Sequence, residues 1–162
     1  MNLGDIARWM YRTGRPNRVA AFMNRWGAMV SSAGLWPSRL AALEVVGRRT
    51  GRVTSFPVVI ADYQGDRYLV SMLGDGANWV ANVRAAGGRA VLCHGSREPV
   101  HLEEVDPRAR PPILRRYLDL APGARPHIPV DRRAPLTDFE PIAARYPVFR
   151  VRAGSPSPGG PS

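Results

Sequence analysis

The chain has 162 residues, of which 44% are hydrophobic, and its 23 basic side chains are all arginine. Against 13 acidic residues they give a formal net charge of +10. This length and apolar content are typical of one globular domain, and the lone Cys93 excludes both a disulfide framework and a cysteine-based zinc site.

Uncharged stretches of the chain are short. The longest is Trp26–Ser38, which is broken by Gly, Ser and Pro and is too short to span a bilayer. The N-terminus lacks the apolar core of a secretory signal, so we expect a cytoplasmic protein. An arginine-only inventory is typical of a GC-rich genome, although arginine forks also suit carboxylates and phosphates.

The first predicted unit is an amphipathic helical segment over residues 1–37. Asp5 can cap a first helix, and apolar residues recur at helical spacing from Val19 to Val30. Residues 1–43 contain six arginines and one acid. We favour packing of this face on the protein or over a ligand pocket. The alternative is peripheral association with an anionic membrane at the inner face of the cell, as for basic helices that carry Trp.

After residue 38 the apolar period changes to that of strands, separated by Gly-rich turns. The predicted strands are Leu40–Val46, Val53–Ala61, Arg67–Met72, Ala90–His94, Arg97–Glu104 and Pro147–Val151. The predicted helices are Asn78–Ala86, a helix from Pro107 to about Leu120, and a short one capped by Thr137. Gly87 and Gly88 end the first of these helices.

This pattern predicts an α+β protein with about six mostly antiparallel strands and inserted helices. The first two strands are apolar on both faces, which favours a small, partly closed barrel over residues 38–152. Residues 153–162 are rich in Ser, Gly and Pro and are predicted to be a disordered tail.

Common catalytic motifs are absent from the sequence. There is no Walker A motif and no G-x-S-x-G elbow, and Gly74-x-Gly76 lacks the third glycine of a dinucleotide fingerprint. The three histidines lack metal-ligand spacing, so we expect no metal site. A chain with so few clustered titratable groups is suited to a cofactor that carries the reaction itself.

The turn between the first two strands reads Gly47-Arg-Arg-Thr-Gly-Arg52. Two glycines make it tight, three arginines project from it, and the backbone N–H groups of such turns can form an anion-binding nest. It would suit a phosphate or a chain of carboxylates. The alternative is an ordinary solvated hairpin turn.

A second feature lies at the start of the first predicted helix of the barrel domain. Trp79 and Asn82 are three residues apart and share one helix face. The preceding loop is Gly-rich, and the helix start offers free N–H groups at the positive end of the helix dipole. Together they could hold a planar heterocycle that carries phosphate. The alternative is a core tryptophan beside a capping asparagine.

Three blocks of the sequence combine these features: Leu43–Pro57 with G-R-R-T-G-R, Gly65–Gly74 with Y-L-V-S, and Asn78–Gly87 with N-W-V-A-N. Together they resemble the deazaflavin-dependent nitroreductase family, over about residues 38–152. The family fold is a split β-barrel. The resemblance implies coenzyme F420 as the cofactor and hydride transfer to a quinone, nitroaromatic or enone acceptor.

The resemblance also implies a role for each matching position. Gly47, Arg48, Arg49 and Thr50 would hold the acidic tail of the cofactor. Pro57, Val58 and Val59 would lie along the deazaflavin ring, Ser71, Met72, Leu73 and Gly74 would border it, and Asn78, Trp79 and Asn82 would close the site. A basic residue is common in the family near position 54, where this chain has Thr54, so Arg52 is expected to substitute.

The substrate side is the part of the site that the resemblance specifies least. The tyrosines that line it in some members of the family are missing, so His127 becomes the candidate substrate contact. The proton could come from His127, Ser71 or water. Two alternative functions remain open: a split barrel that binds FMN or haem, and a non-catalytic carrier of the cofactor. The oligomeric state, monomer or homodimer, is also open. Nucleic-acid binding is not expected, because acids are interspersed with the arginines after residue 43.

Overall fold

The computed structural model describes residues Arg39–Gly154, so the helices predicted within residues 1–37 and positions 155–162 of the predicted tail lie outside the described residues. The first two positions of that predicted tail are ordered instead: Ala153 ends the last strand, and the N–H of Gly154 bonds to the carbonyl of Pro99 (3.0 Å). The strands are β1 (Leu40–Val46), β2 (Val53–Val59), β3 (Ala61–Tyr63), β4 (Asp66–Val70), β5 (Arg89–His94), β6 (Ser96–Glu104) and β7 (Val148–Ala153). The helices are α1 (Asn78–Ala85), α2 (Arg110–Leu120) and α3 (Leu136–Phe139). Short 3-10 turns occupy Pro107–Ala109, Pro122–Ala124 and Glu140–Arg145.

The strands form one antiparallel sheet in the order β2-β1-β5-β6-β7-β4-β3. Its two edge strands, β2 and β3, are consecutive in sequence and are joined by Ile60 alone. A sheet whose edges are linked by one residue must curl until they meet, which produces a half-open barrel. Pro57 fits this arrangement, because a proline without an N–H group is tolerated in an edge strand.

Side chains alternate between two hydrophobic cores on the two faces of the sheet. Ala41, Leu43 and Val45 of β1 point into the barrel, where α1 closes the core with Trp79 and Val80. On the opposite face, a second core is covered by α2. Its members include Leu40, Val59, Tyr68, Val70, Leu114, Tyr117, Leu118 and Val148.

The α+β class and the antiparallel barrel are confirmed, with three corrections. Residues 39–154 contain seven strands rather than about six, because the predicted strand Val53–Ala61 is interrupted at Ile60, whose N–H bonds to the carbonyl of Arg39 (2.8 Å). Thr137 does not cap a helix; it lies inside α3, whose N-cap position is Pro135. Of the first two strands, only β1 is buried on both faces, since the first residues of β2 are exposed.

Within residues 39–154 no helix has the length and apolar character needed to cross a membrane.

Candidate functional site

The Gly47–Arg52 turn is tightened by its own backbone. The N–H of Gly47 bonds to the carbonyl of Arg52 (2.7 Å), and the N–H of Gly51 bonds to the carbonyl of Gly47 (2.9 Å). Gly51 has φ +70, which favours glycine. The Thr50 hydroxyl accepts the N–H of Arg52 (3.2 Å), so it shapes the turn. The side chains of Arg48, Arg49 and Arg52 are left at the exposed surface.

Asn82 connects this turn to α1. Its side-chain oxygen Oδ1 accepts both the backbone N–H of Arg48 (3.1 Å) and Nη1 of the Arg48 guanidinium (2.8 Å). A backbone donor cannot reverse its role, so the amide orientation of Asn82 follows from this contact. Asn82 is only 6% exposed. It is therefore a buried acceptor that holds the arginine turn against the helix.

The free edge of β2 faces the end of β4 across a narrow seam, which is the split in the barrel. The seam is lined by Phe56, Pro57, Val58, Val70, Met72, Leu73, Trp79 and Tyr117. Trp79 is buried, nearly parallel to Phe56 (22°) with ring centroids 6.0 Å apart. The seam encloses about 10 Å³, which is room for one water molecule.

A wider cleft of about 400 Å³ adjoins the seam and shares Met72 and Leu73 with it. The residues that line it are Met72, Leu73, Gly74, Asp75, His127, Arg145 and Tyr146. Leu73 is half exposed, whereas Met72 is buried. The volume lies within the range of small-molecule sites.

Hydrogen bonds fix both walls of this cleft. On one side, the Ser71 hydroxyl donates to the carbonyl of Gly74 (2.7 Å) and holds the turn after β4. On the other, the Tyr146 hydroxyl donates to the carbonyl of His127 (2.9 Å). The two walls meet at Gly74 and Arg145. A Cβ atom added to Gly74 would lie 3.4 Å from the carbonyl oxygen of Arg145, which is van der Waals contact.

The structure brings most of the predicted ring-binding residues together. Pro57, Val58, Met72, Leu73 and Trp79 line the seam, and Gly74 and His127 line the adjoining cleft. Their roles toward a cofactor stay predictions.

Besides the arginine turn and Asn82, four predicted residues line neither the seam nor the cleft. Val59 packs in the core under α2, and the Thr54 hydroxyl donates to the carbonyl of Val45 (3.0 Å). Asn78 is exposed at the start of α1 and lines neither the seam nor the cleft. Ser71 is 1% exposed and its hydroxyl proton is directed at Gly74, so a role in proton transfer would require that bond to open.

The sequence reasoning missed Asp75, Arg145 and Tyr146 in the cleft, and Phe56 and Tyr117 in the seam. Phe56 could have been found, because it lies between two predicted site residues on β2. Arg145 and Tyr146 are about 70 residues from Gly74, and no local pattern links them. Only the pairing of β7 with β4 brings them to the cleft.

A charged network supports the rim of the cleft. Arg84 of α1 donates to Asp75 (2.8 Å) and to Glu104 (2.9 Å). The Arg84 hydrogen bond lowers the pKa of Glu104, and the nearby charge of Arg110 lowers it further. The same two carboxylates raise the pKa of Arg84. The carboxylate of Asp75 is therefore paired with an arginine that lies outside the cleft lining.

Cys93 is remote from this chemistry. Its thiol is buried and donates to the carboxylate of Glu44 (3.0 Å), which also accepts from Arg97 (3.0 Å). Burial, reinforced by Glu44, raises the pKa of Cys93 to about 12. A thiol with this pKa is protonated and unreactive at neutral pH.

No family model and no curated protein matches the chain. Among solved structures, the chain resembles protein Atu2129 from Agrobacterium tumefaciens, of unknown function, with TM-score 0.55, 14% identity and 73% of this chain covered. The match covers 49% of Atu2129, so the chain spans about half the length of that protein.

Two further structures resemble the chain. One is described as a domain-swapped dimer, with TM-score 0.50, 15% identity, and 83% of this chain and 96% of that chain covered. The other is an F420-H2 dependent reductase (FDR-A), with TM-score 0.47, 14% identity, and 70% of this chain and 94% of that chain covered. At these identities the likeness concerns the fold alone, and the architecture is a split β-barrel, as predicted.

Proposed function

We propose that this protein is an oxidoreductase that uses reduced coenzyme F420, a deazaflavin, to reduce a quinone, nitroaromatic or enone. One observation carries the proposal: α1 joins the arginine turn to the seam. Asn82 contacts the turn and Trp79 lines the seam, and they are one helical turn apart on α1. With a rise of about 1.5 Å per residue, the two contacts are separated by about 4.5 Å along the helix axis.

The residues present fit such a cofactor in two parts. The exposed guanidinium groups of Arg49 and Arg52, with the turn backbone, would bind a phosphate and carboxylate tail. The seam is too narrow for a tricyclic ring, so the ring is assigned to the part of the 400 Å³ cleft that adjoins the seam, against Met72. When bound, the reduced deazaflavin supplies a hydride, and one further proton completes the reduction of a quinone to a hydroquinone.

The protein's own contribution would be binding, orientation and exclusion of water. The N-terminus of α1 has no acidic residue in its first turn, so its dipole would favour an anionic ring. His127 lies in the cleft wall, where it would contact the acceptor and is the better placed of the two candidate proton donors. The N-terminal segment of residues 1–37 stays a proposed lid or peripheral membrane anchor.

The first test is a fluorescence titration of the full chain with coenzyme F420, followed by oxidation of its reduced form with menadione. We expect micromolar or tighter binding. Replacing both Arg49 and Arg52 with Gln should raise the Kd about 30-fold, since each charge-assisted hydrogen bond contributes roughly 1 kcal/mol. The matched control is Arg132→Gln with Arg133→Gln, an arginine pair that lines neither the seam nor the cleft.

Three outcomes would contradict parts of this proposal. Binding of FMN or haem without binding of F420 would replace the cofactor. Binding of F420 without turnover of any quinone, nitro compound or enone would make the protein a carrier. Equal Kd changes for the two double variants would reduce the arginine turn to a general charge effect.

A second prediction concerns Asn82 and separates its structural role from a direct contact with the cofactor. Asn82→Ala removes the acceptor of two Arg48 donors, so we expect a loss of about 1–2 kcal/mol in unfolding free energy and weaker F420 binding. Asn82→Asp keeps the acceptor but adds a negative charge beside the turn. It should retain most of the stability and still weaken F420 binding.

The measurements are urea denaturation and the same fluorescence titration. If Asn82→Asp binds F420 as tightly as the wild type, no anion lies near the turn. If Asn82→Ala is as stable as the wild type, the turn does not depend on the helix.

A further inference from the structure

The cleft contains an arginine that is paired with no carboxylate of the described residues. Nine arginines within residues 39–154 pair with carboxylates: Arg39, Arg67, Arg84, Arg97, Arg110, Arg116, Arg132, Arg150 and Arg152. Arg145 lines the cleft, its side chain is exposed, and it forms no ion pair with any described residue. It is also the one arginine among the described residues that line this cleft.

The acid in the same cleft does not cancel this charge. Asp75 is engaged by Arg84 at 2.8 Å, and Arg84 belongs to α1 rather than to the cleft lining. Arg84 is shared with Glu104, which binds Arg110 as well. Asp75 is thus paired with Arg84, which lies outside the cleft lining, while Arg145 lines the cleft and has no carboxylate partner among the described residues.

The wall that carries Arg145 is held rigidly. The buried Arg110 donates Nη1 to the carbonyl of Ala143 (3.0 Å), in the 3-10 turn that ends at Arg145. The next residue, Tyr146, is buried and its hydroxyl donates to the carbonyl of His127. Because this backbone is fixed before any ligand arrives, binding costs less ordering entropy than at a free surface arginine.

The opposite wall presents apolar side chains beside Asp75. Leu73 is 50% exposed, whereas most large aliphatic side chains of the described residues are buried, and Met72 lies beside it. Covering Leu73 with a flat ring would bury apolar surface, and an acidic substituent on that ring could reach the cationic wall.

We propose that the acceptor bound in this cleft is a planar aromatic compound that carries a carboxylate or similar anionic group, with Arg145 as the specificity-determining residue. The claim that this compound is reduced rests on the proposed function, whereas the claim that the cleft prefers an anionic ring does not. Arg145 recognises the anion through a charge-assisted fork, and Leu73 contacts the ring.

The test uses a matched pair of ligands, 4-nitrobenzoate and nitrobenzene, with the full-length protein. Calorimetry without cofactor should show that 4-nitrobenzoate binds at least 10-fold more tightly than nitrobenzene. Arg145→Gln should remove this preference and leave nitrobenzene binding within twofold. Arg133→Gln, an exposed arginine outside the cleft lining, makes the same change in net charge and should leave the preference intact.

Kinetics with reduced F420 give a second readout. Arg145→Gln should raise the KM for 4-nitrobenzoate about 10-fold with little change in kcat, and raising the salt concentration should weaken the wild-type preference. Equal binding of the two ligands by the wild type, or a preference that survives Arg145→Gln, overturns the inference. An Arg145-dependent preference in a protein that does not bind F420 upholds the inference while the proposed reductase function fails.

Discussion

An Arg110→Ala variant is expected to lose about 4 kcal/mol of unfolding free energy, because it leaves buried acceptors without a donor. Arg110 is 3% exposed. Its Nε donates to the carbonyl of Val105 (2.8 Å), Nη1 to the carbonyl of Ala143 (3.0 Å), and Nη2 to Glu104 (3.1 Å). Urea denaturation followed by circular dichroism measures the loss.

The matched control is Arg115→Ala on the same helix. Arg115 is half buried and forms no ion pair within the described part of the chain, so its removal should change stability by less than about 0.5 kcal/mol. If Arg110→Ala cost no more than this control, water would be replacing the guanidinium and the buried network would not stabilise the fold.

The stability difference between Arg110→Ala and the wild type should also depend on pH. The pKa of Glu104 is lowered in the folded protein, mainly by its hydrogen bond to Arg84 and partly by the charge of Arg110. A lowered folded pKa means that the stabilisation is complete above the unfolded value of 4.5 and is lost as the pH falls through the folded pKa. The cost of removing Arg110 should therefore shrink as the pH falls below 4.5.

This network reaches the candidate site. Arg110 fixes the 3-10 turn that presents Arg145, and it shares Glu104 with Arg84, the partner of Asp75. A variant such as Arg110→Met, which keeps apolar volume without donors, should therefore weaken 4-nitrobenzoate binding even in the fraction that remains folded. The same buried residue stabilises the fold and positions the cleft wall.

The fold class could be predicted from the sequence because each of its signals is local. The apolar run Leu40–Val46 gives β1 with the observed bounds, and the paired glycines after Ala86 end α1 where they were expected. The turn at Gly47–Arg52 follows from its composition. The prediction of a continuous strand to Ala61 was wrong. The hydrogen bond from the N–H of Ile60 to the carbonyl of Arg39 depends on the curl of the whole sheet, which no local pattern specifies.

The candidate site could be predicted only on one side. Residues on β2, the turn after β4, and α1 are near in sequence and carry recognisable motifs. The other wall comes from Arg145 and Tyr146, and it is placed by long-range strand pairing and a buried arginine. Spacing also left open whether Trp79 was a core or a surface residue; the structure buries it against Phe56 and Phe149.

Gly88→Ala is the second substitution for which we expect a large effect, about 4 kcal/mol or failure to fold. Gly87 and Gly88 end α1 in a Schellman motif: the N–H of Gly88 bonds to the carbonyl of Val83 (2.9 Å) and that of Gly87 to Arg84 (3.1 Å). Gly88 has φ +86, and an added Cβ would lie 2.5 Å from the carbonyl oxygen of Leu102.

Gly87→Ala is the matched control, because Gly87 has φ +65 but an added Cβ meets nothing within 4 Å. It isolates the cost of left-handed backbone, about 1 kcal/mol. The excess loss in Gly88→Ala then measures the close approach of α1 to β6, where the N–H of Leu102 bonds to the carbonyl of Gly88 (2.8 Å). Equal losses in the two variants would mean that β6 can yield. The helix that carries Trp79 and Asn82 would then be held by its core contacts alone, without a fixed end against the sheet.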